Sequence, residues 1–167
     1  NLNFYRLRGG SLGGKARGLA FAADKLNHSK ILKKYPQIKI RVPNVTVIGT
    51  DEFDIFMNKN KLWDIALNET DNKKLITQFL KAKLNRDLIK NIKKLLKEKT
   101  YPLAVRSSSL SEDSQYQSLS GMYSTFMLPN SADSLQERID QVCEAIKRIY
   151  ASTFFVAPKS LIDKISQ

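Results

Sequence analysis

The sequence predicts an α+β fold, a mixed sheet with flanking helices, and three observations carry that prediction. Short β-branched stretches alternate with stretches whose apolar residues recur every three or four positions, so strands and amphipathic helices follow one another. Four glycines among residues 9–14 stand directly before a helical pattern, where a pliable backbone can bring N–H groups to a ligand. A charged residue, Arg106, continues the apolar run Leu103-Ala104-Val105, which reads as a short buried strand. With 42% hydrophobic residues in 167, the chain can bury a sizeable core as one domain or two small lobes.

In chain order, residues 1–8 read as an edge strand and 15–27 as a helix with Leu19, Ala22, Ala23 and Leu26 on its core side. His28 at its end is expected to cap or point into water, with no triad or phosphohistidine context around it. Residues 38–50 alternate well and predict two short strands interrupted at Pro43. A short helix over 51–58 should turn Phe53, Phe56 and Met57 inward, capped by Thr50 or Asp51. Leu62, Trp63, Ile65, Ala66 and Leu67 form a second helical piece, with Trp63 read as core. Thr70 or Asp71 caps the basic segment after it. There, Ile76, Leu80, Leu84, Leu88, Ile92 and Leu96 at four-residue spacing mark one long amphipathic helix or two shorter ones. Residues 107–120 hold seven serines and read as a mobile loop, 122–128 as a strand, and 134–152 as a helix capped by Ser131 or Asp133. That last helix turns Leu135, Ile139, Val142, Cys143, Ile146 and Ile149 inward.

The formal net charge of +12 would ordinarily point to nucleic acid, but its location argues for a solvated helix face. Residues 73–99 alone carry ten Lys or Arg against Asp87 and Glu98, on the helices just described and with almost no aromatic side chains for stacking. A single cysteine excludes an intramolecular disulfide, and with one histidine it leaves no zinc site. Cys143 reads as a small core residue, since no base or second thiol accompanies it. No apolar run has membrane-span length and no signal-peptide pattern opens the chain, so a soluble cytoplasmic protein is expected. The start at Asn1 without Met suggests an excised piece of something larger.

Arg106 needs an anionic partner, because desolvating a guanidinium costs several kcal/mol unless it is paired. The residues alone leave open an internal carboxylate or a bound phosphate.

Two motifs bear on that choice. Ala104-Val105-Arg106-Ser107-Ser108, Ser111-Glu112-Asp113, Ser118-Leu119-Ser120-Gly121 and Thr125-Phe126 resemble, in order, the AVRSS, AED, SFAG and ETF run of phosphoenolpyruvate synthases. The same order runs through pyruvate phosphate dikinases and rifampin phosphotransferases. Gly13-Gly14-Lys15 with Gly18-Leu19 resembles the GGK..GL segment near the start of that group's ATP-binding domain, and Val42-Pro43 resembles its VP.GF segment, with Asn44-Val45 as a departure.

The resemblance implies the N-terminal portion of an ATP-grasp-type nucleotide-binding domain over 1–167, with a helical insert at about 51–100. It implies Mg-ATP as cofactor, with Lys15 and Arg106 in catalytic contact with the phosphates and Gly13, Gly14 and Ser107 beside them. Ser120, Gly121, Ser124 and Thr125 would form the phosphate-covering loop. Metal ligands, the other half of the ATP domain and the phosphohistidine domain are expected elsewhere in the parent chain. The parent would transfer a phosphoryl group from ATP through that histidine, and this fragment alone should be inactive. The acceptor, whether pyruvate, a drug or a glucan, is open. Two rivals stand beside this reading: a basic module for RNA or an acidic partner, and a noncatalytic scaffold of the same fold.

Overall fold

β1 (Phe4–Leu7) pairs in parallel with β2 (Val45–Ile48), with Phe4 opposite Val45 and Leu7 opposite Ile48. Parallel neighbours need a crossover connection, and α1 (Gly14–His28) lies on it. The computed structural model describes residues 4–30, 34–38, 40, 42–108 and 125–155. Among these, six helices and two two-stranded sheets form an α+β architecture, in place of the single mixed sheet expected.

The main core is helical. α2 (Thr50–Lys59), α3 (Trp63–Asn68), α4 (Asn72–Lys81), α5 (Arg86–Glu98) and α6 (Leu135–Ser152) pool Phe56, Met57, Ala66, Leu75, Phe79, Leu88, Ile92, Leu96, Ile139 and Ile146. α6 is the hub, packing against α4, α5 and the second sheet. Around Phe53 the rings of Trp63, Tyr150 and Phe154 lie 5.1–6.1 Å away, two edge-on and one stacked, geometries that suit aromatic quadrupoles. Trp63 joins this cluster while keeping 38% of its surface exposed, and its Nε1–H donates to Asn58 Oδ1 at 2.7 Å.

The basic segment forms two helices. Asp71 Oδ1 caps the first by accepting from Lys73 N and Lys74 N, and Asn85 Oδ1 caps the second by accepting from Asp87 N. The buried pair on α4 is Leu75 and Phe79, while the predicted Ile76 and Leu80 are only half-buried. The buried row is offset by one residue from the predicted one, and one residue turns a helix by about 100°, so Ile76 and Leu80 flank the core-facing stripe. On α5, Leu88, Ile92 and Leu96 are buried as predicted, and Lys90, Lys93, Lys94 and Lys97 are exposed.

β3 (Leu103–Arg106) pairs antiparallel with β4 (Thr125–Leu128). Leu103, Val105 and Leu128 pack on the helical core, whereas Ala104, Arg106, Thr125 and Met127 are exposed. The expectation of a fully buried strand is therefore corrected: this sheet has one dry face, and Arg106 is on the other. Asn130, at φ 55°, holds the end of the hairpin by donating to Lys99 O and Tyr101 O at 2.9 and 3.0 Å.

Other expectations need correction. Ile38, Ile40 and Val42 lie outside any strand, and Ile38 is 52% exposed; alternation alone gives no ladder without a partner edge. Gly49, not Thr50 or Asp51, is the N-cap of α2, and Ser134 Oγ caps α6 by accepting from Glu137 N, displacing Ser131 and Asp133. Ala22 on α1 and Leu67 on α3 are exposed. Residues 109–124, which include all of the predicted serine loop except Ser107 and Ser108, lie outside the described residues. No described helix is long and apolar enough to cross a membrane.

Candidate phosphate-binding site

α1 begins where the glycine run ends. Its N-cap is Gly13, which has no side chain to fold back on the N–H groups, and its first turn holds no acidic residue. A helix start of this kind presents positive partial charge and suits an anion. Gly13 is buried against Ser108: a Cβ at this position would fall on the Ser108 carbonyl, so only glycine permits the approach. Ala16 N–H donates to Ser108 Oγ at 3.1 Å. Two segments ninety-two residues apart thus meet at the first turn of α1.

Ser108 follows Arg106 and Ser107 at the end of β3. In the antiparallel register Arg106 faces Thr125 directly, and both are on the exposed side of the sheet. The structure therefore brings Gly13 and Ala16, which flank Gly14 and Lys15, against Ser108, and places Arg106 and Thr125 side by side on paired strands. Lys15 and Ser107 are half-buried and both engaged in polar or electrostatic contacts. Ser120, Gly121 and Ser124 lie outside the described residues.

The loop leading into α1 is held by residues that belong to neither motif. Arg8 (φ 70°) and Gly10 (φ 93°) adopt left-handed backbone conformations. Arg6 Nε donates to Arg8 O at 3.0 Å and its Nη2 donates to Gly10 O. Arg8 Nε donates to Glu52 Oε1 at 2.5 Å, and Asn85 Nδ2 donates to the same oxygen at 3.2 Å. The Arg8 pKa rises above its ordinary value, first through the hydrogen bond to Glu52 and then through the charges of Glu52 and the more distant Asp87. Ser11 N–H donates to Thr50 Oγ1 at 2.9 Å, so the loop is stitched to the start of α2. Sequence reasoning missed Arg8, Glu52 and Asn85. One signal for Glu52 was present: with Phe56 at i+4, helical spacing puts its carboxylate on the core side.

Among the described residues no group of three or more His, Cys, Asp or Glu is placed to hold a metal ion. A concavity of about 520 Å³ lies between the end of α2 and the start of α5, lined by Lys59, Lys83, Arg86 and Lys90 together with Asn85 and Asp87. It contains none of the predicted phosphate-binding residues; it is a groove between exposed basic side chains, and the motif junction carries the better-defined chemistry.

A family model, "Pyruvate phosphate dikinase, AMP/ATP-binding domain", matches residues 10–160. No curated protein and no solved structure matches the chain. The family match spans both motifs, the glycine-led start of α1 and the β3–β4 strands that converge on it, and so covers nearly the whole chain. The chain belongs to the pyruvate phosphate dikinase AMP/ATP-binding domain family.

Proposed function

We propose that this chain is the ATP-binding portion of a phosphoenolpyruvate synthase-like dikinase, which transfers a phosphoryl group from ATP to a histidine on another domain of the same parent, yielding AMP. The observation that carries the reading is the Ala16–Ser108 bond, which joins the two motifs at a helix start whose N-cap, Gly13, has no side chain. The first turn of α1 would receive phosphate oxygens, Lys15 would supply a point charge, and Arg106 a planar fork directed at the same group. Thr125, opposite Arg106, would add a hydroxyl donor. Ser107 would border the triphosphate, and Ser120, Gly121 and Ser124 would cover it. Such a site works by positioning and by electrostatic stabilisation of the charge that develops as the phosphoryl group moves. The helical segment from α2 to α5 would then be an insert that braces the site.

The test is calorimetric titration of the full-length parent with ATP, for wild type and Lys15→Met. We expect micromolar-range binding that Lys15→Met weakens by about tenfold or more, as loss of a charge-assisted contact to phosphate predicts. A folded parent that binds no ATP would move the chain to the scaffold reading. Steeply salt-dependent RNA binding that leans on Lys90, Lys93 and Lys97 would support the basic module instead.

A further inference from the structure

We propose that Glu52 is the positioning residue of the glycine loop: its buried carboxylate fixes Arg8, and through Arg8 it sets where the first turn of α1 meets Ser108. This inference rests on the reading of that loop as the phosphate-binding element.

Glu52 is only 2% exposed, yet it sits in the first turn of α2 with the aromatic core below it. Burying a carboxylate costs several kcal/mol unless donors compensate. Two donors do so here, from widely separated parts of the chain: Arg8 from the end of β1 and Asn85 from the start of α5. Both converge on Oε1, while Oε2 is buried with no hydrogen-bond partner among the described residues. A buried charge compensated through one oxygen is a costly way to hold a core together, since an apolar side chain in its place would pack without the penalty. It is an effective way to fix one guanidinium in one orientation.

That orientation matters because Arg8 has a left-handed backbone, which a residue with a Cβ adopts only at a cost. The Arg8 side chain is tied to Glu52, its carbonyl is held by Arg6 Nε, and the Gly10 carbonyl is held by Arg6 Nη2. The loop therefore leaves β1 through a turn pinned on both sides. It next crosses Thr50, where Ser11 N–H meets Thr50 Oγ1, and enters α1 at Gly13. Glu52 and Thr50 belong to the same first turn of α2, so one rigid helix end holds the loop at both Arg8 and Ser11. Asn85 extends the linkage to α5, where its Oδ1 also caps that helix. The loop is thereby braced against the helical core before any ligand binds, and the phosphate site is preorganised from below.

Glu52→Gln tests this. It keeps the size and one carbonyl acceptor but removes the charge that Arg8 Nε meets, leaving Arg8 only the more distant Asp87, 3.8 Å from its Nη1. In the full-length parent the measurements are the dissociation constants of ATP and of adenosine, the latter by competition, together with amide hydrogen exchange at Ser11 and Ala16. Adenosine reports the base pocket without the phosphates. We expect ATP affinity to fall about tenfold with adenosine affinity within about twofold of wild type, because misplacing the loop affects only the phosphate contacts. Exchange at Ser11 and Ala16 should accelerate, and Arg8→Gly, which relieves the left-handed backbone but cuts the tie, should behave the same way. Equal loss of ATP and adenosine would mean general loosening and would overturn the proposal. So would unchanged exchange at both amides, even if wild-type protein bound no ATP; that last failure by itself would sink the functional reading and leave the exchange result to decide this one.

Discussion

Arg106→Ala separates a phosphate ligand from an internal strut. A buried Arg paired to a buried carboxylate would leave an uncompensated charge when truncated, a loss of about 3–5 kcal/mol. The structure points the other way. Arg106 is exposed, opposite Thr125, and pairs with no carboxylate among the described residues. Surface substitutions of that kind stay within about 0.5 kcal/mol, or at most about 2 °C in melting temperature for a chain of this size. A charge-assisted hydrogen bond to phosphate is worth about 1.5–3 kcal/mol, which is a loss of roughly 10- to 150-fold in ATP affinity. Thermal unfolding and ATP calorimetry on the wild-type and Arg106→Ala proteins give both numbers. A melting-temperature fall of about 10 °C with unchanged ATP affinity would refute the reasoning and restore the strut.

Leu88, fully buried on α5, should lose about 2–5 kcal/mol on truncation to Ala, measured by urea unfolding, and should leave ATP affinity untouched if the helical core and the phosphate site are separate. Asp71→Ala removes the cap of α4 and should cost about 1 kcal/mol by the same measurement. Burial raises the Cys143 thiol from 9.0 to about 11, partly opposed by Lys147, and burial followed by the Glu52 charge raises the Tyr150 phenol. A raised pKa favours the protonated form in the folded state. Its stabilising contribution is therefore complete below pH 9 and is lost as pH rises from 9 to 11, where only the unfolded thiol ionises. The urea midpoint should fall between pH 9 and pH 11, by less in Cys143→Ala; equal falls in the two proteins would contradict the assignment.

Where local chemistry decides structure, the sequence was sufficient. Asp71 ahead of Asn72 caps its helix, the stripe Ile139, Val142, Ile146 and Ile149 faces the core, and β1 and β2 pair where the apolar residues lie. Readings fail where the outcome depends on a distant partner. Alternation at Ile38 and Ile40 looks like a strand, but a strand also needs an edge to pair with. Arg106 looks buried because the run before it is apolar, yet a two-stranded sheet keeps one wet face and its parity puts Arg106 there. The motifs nominate Gly13, Lys15 and Arg106 as phosphate ligands, but nothing local to Arg8 or Asn85 announces that both will donate to Glu52. Their bonds span 44 and 33 residues, a long-range arrangement that periodicity cannot encode.

The central claim is that one triphosphate is held where the start of α1 meets the end of β3 and the start of β4. Hydrogen–deuterium exchange of the protein with and without ATP addresses it directly. Peptides covering residues 9–17 and 103–128 should be protected together, with those covering α4 and α5 unchanged. Protection confined to the lysine-rich helices, or to one motif without the other, would contradict it.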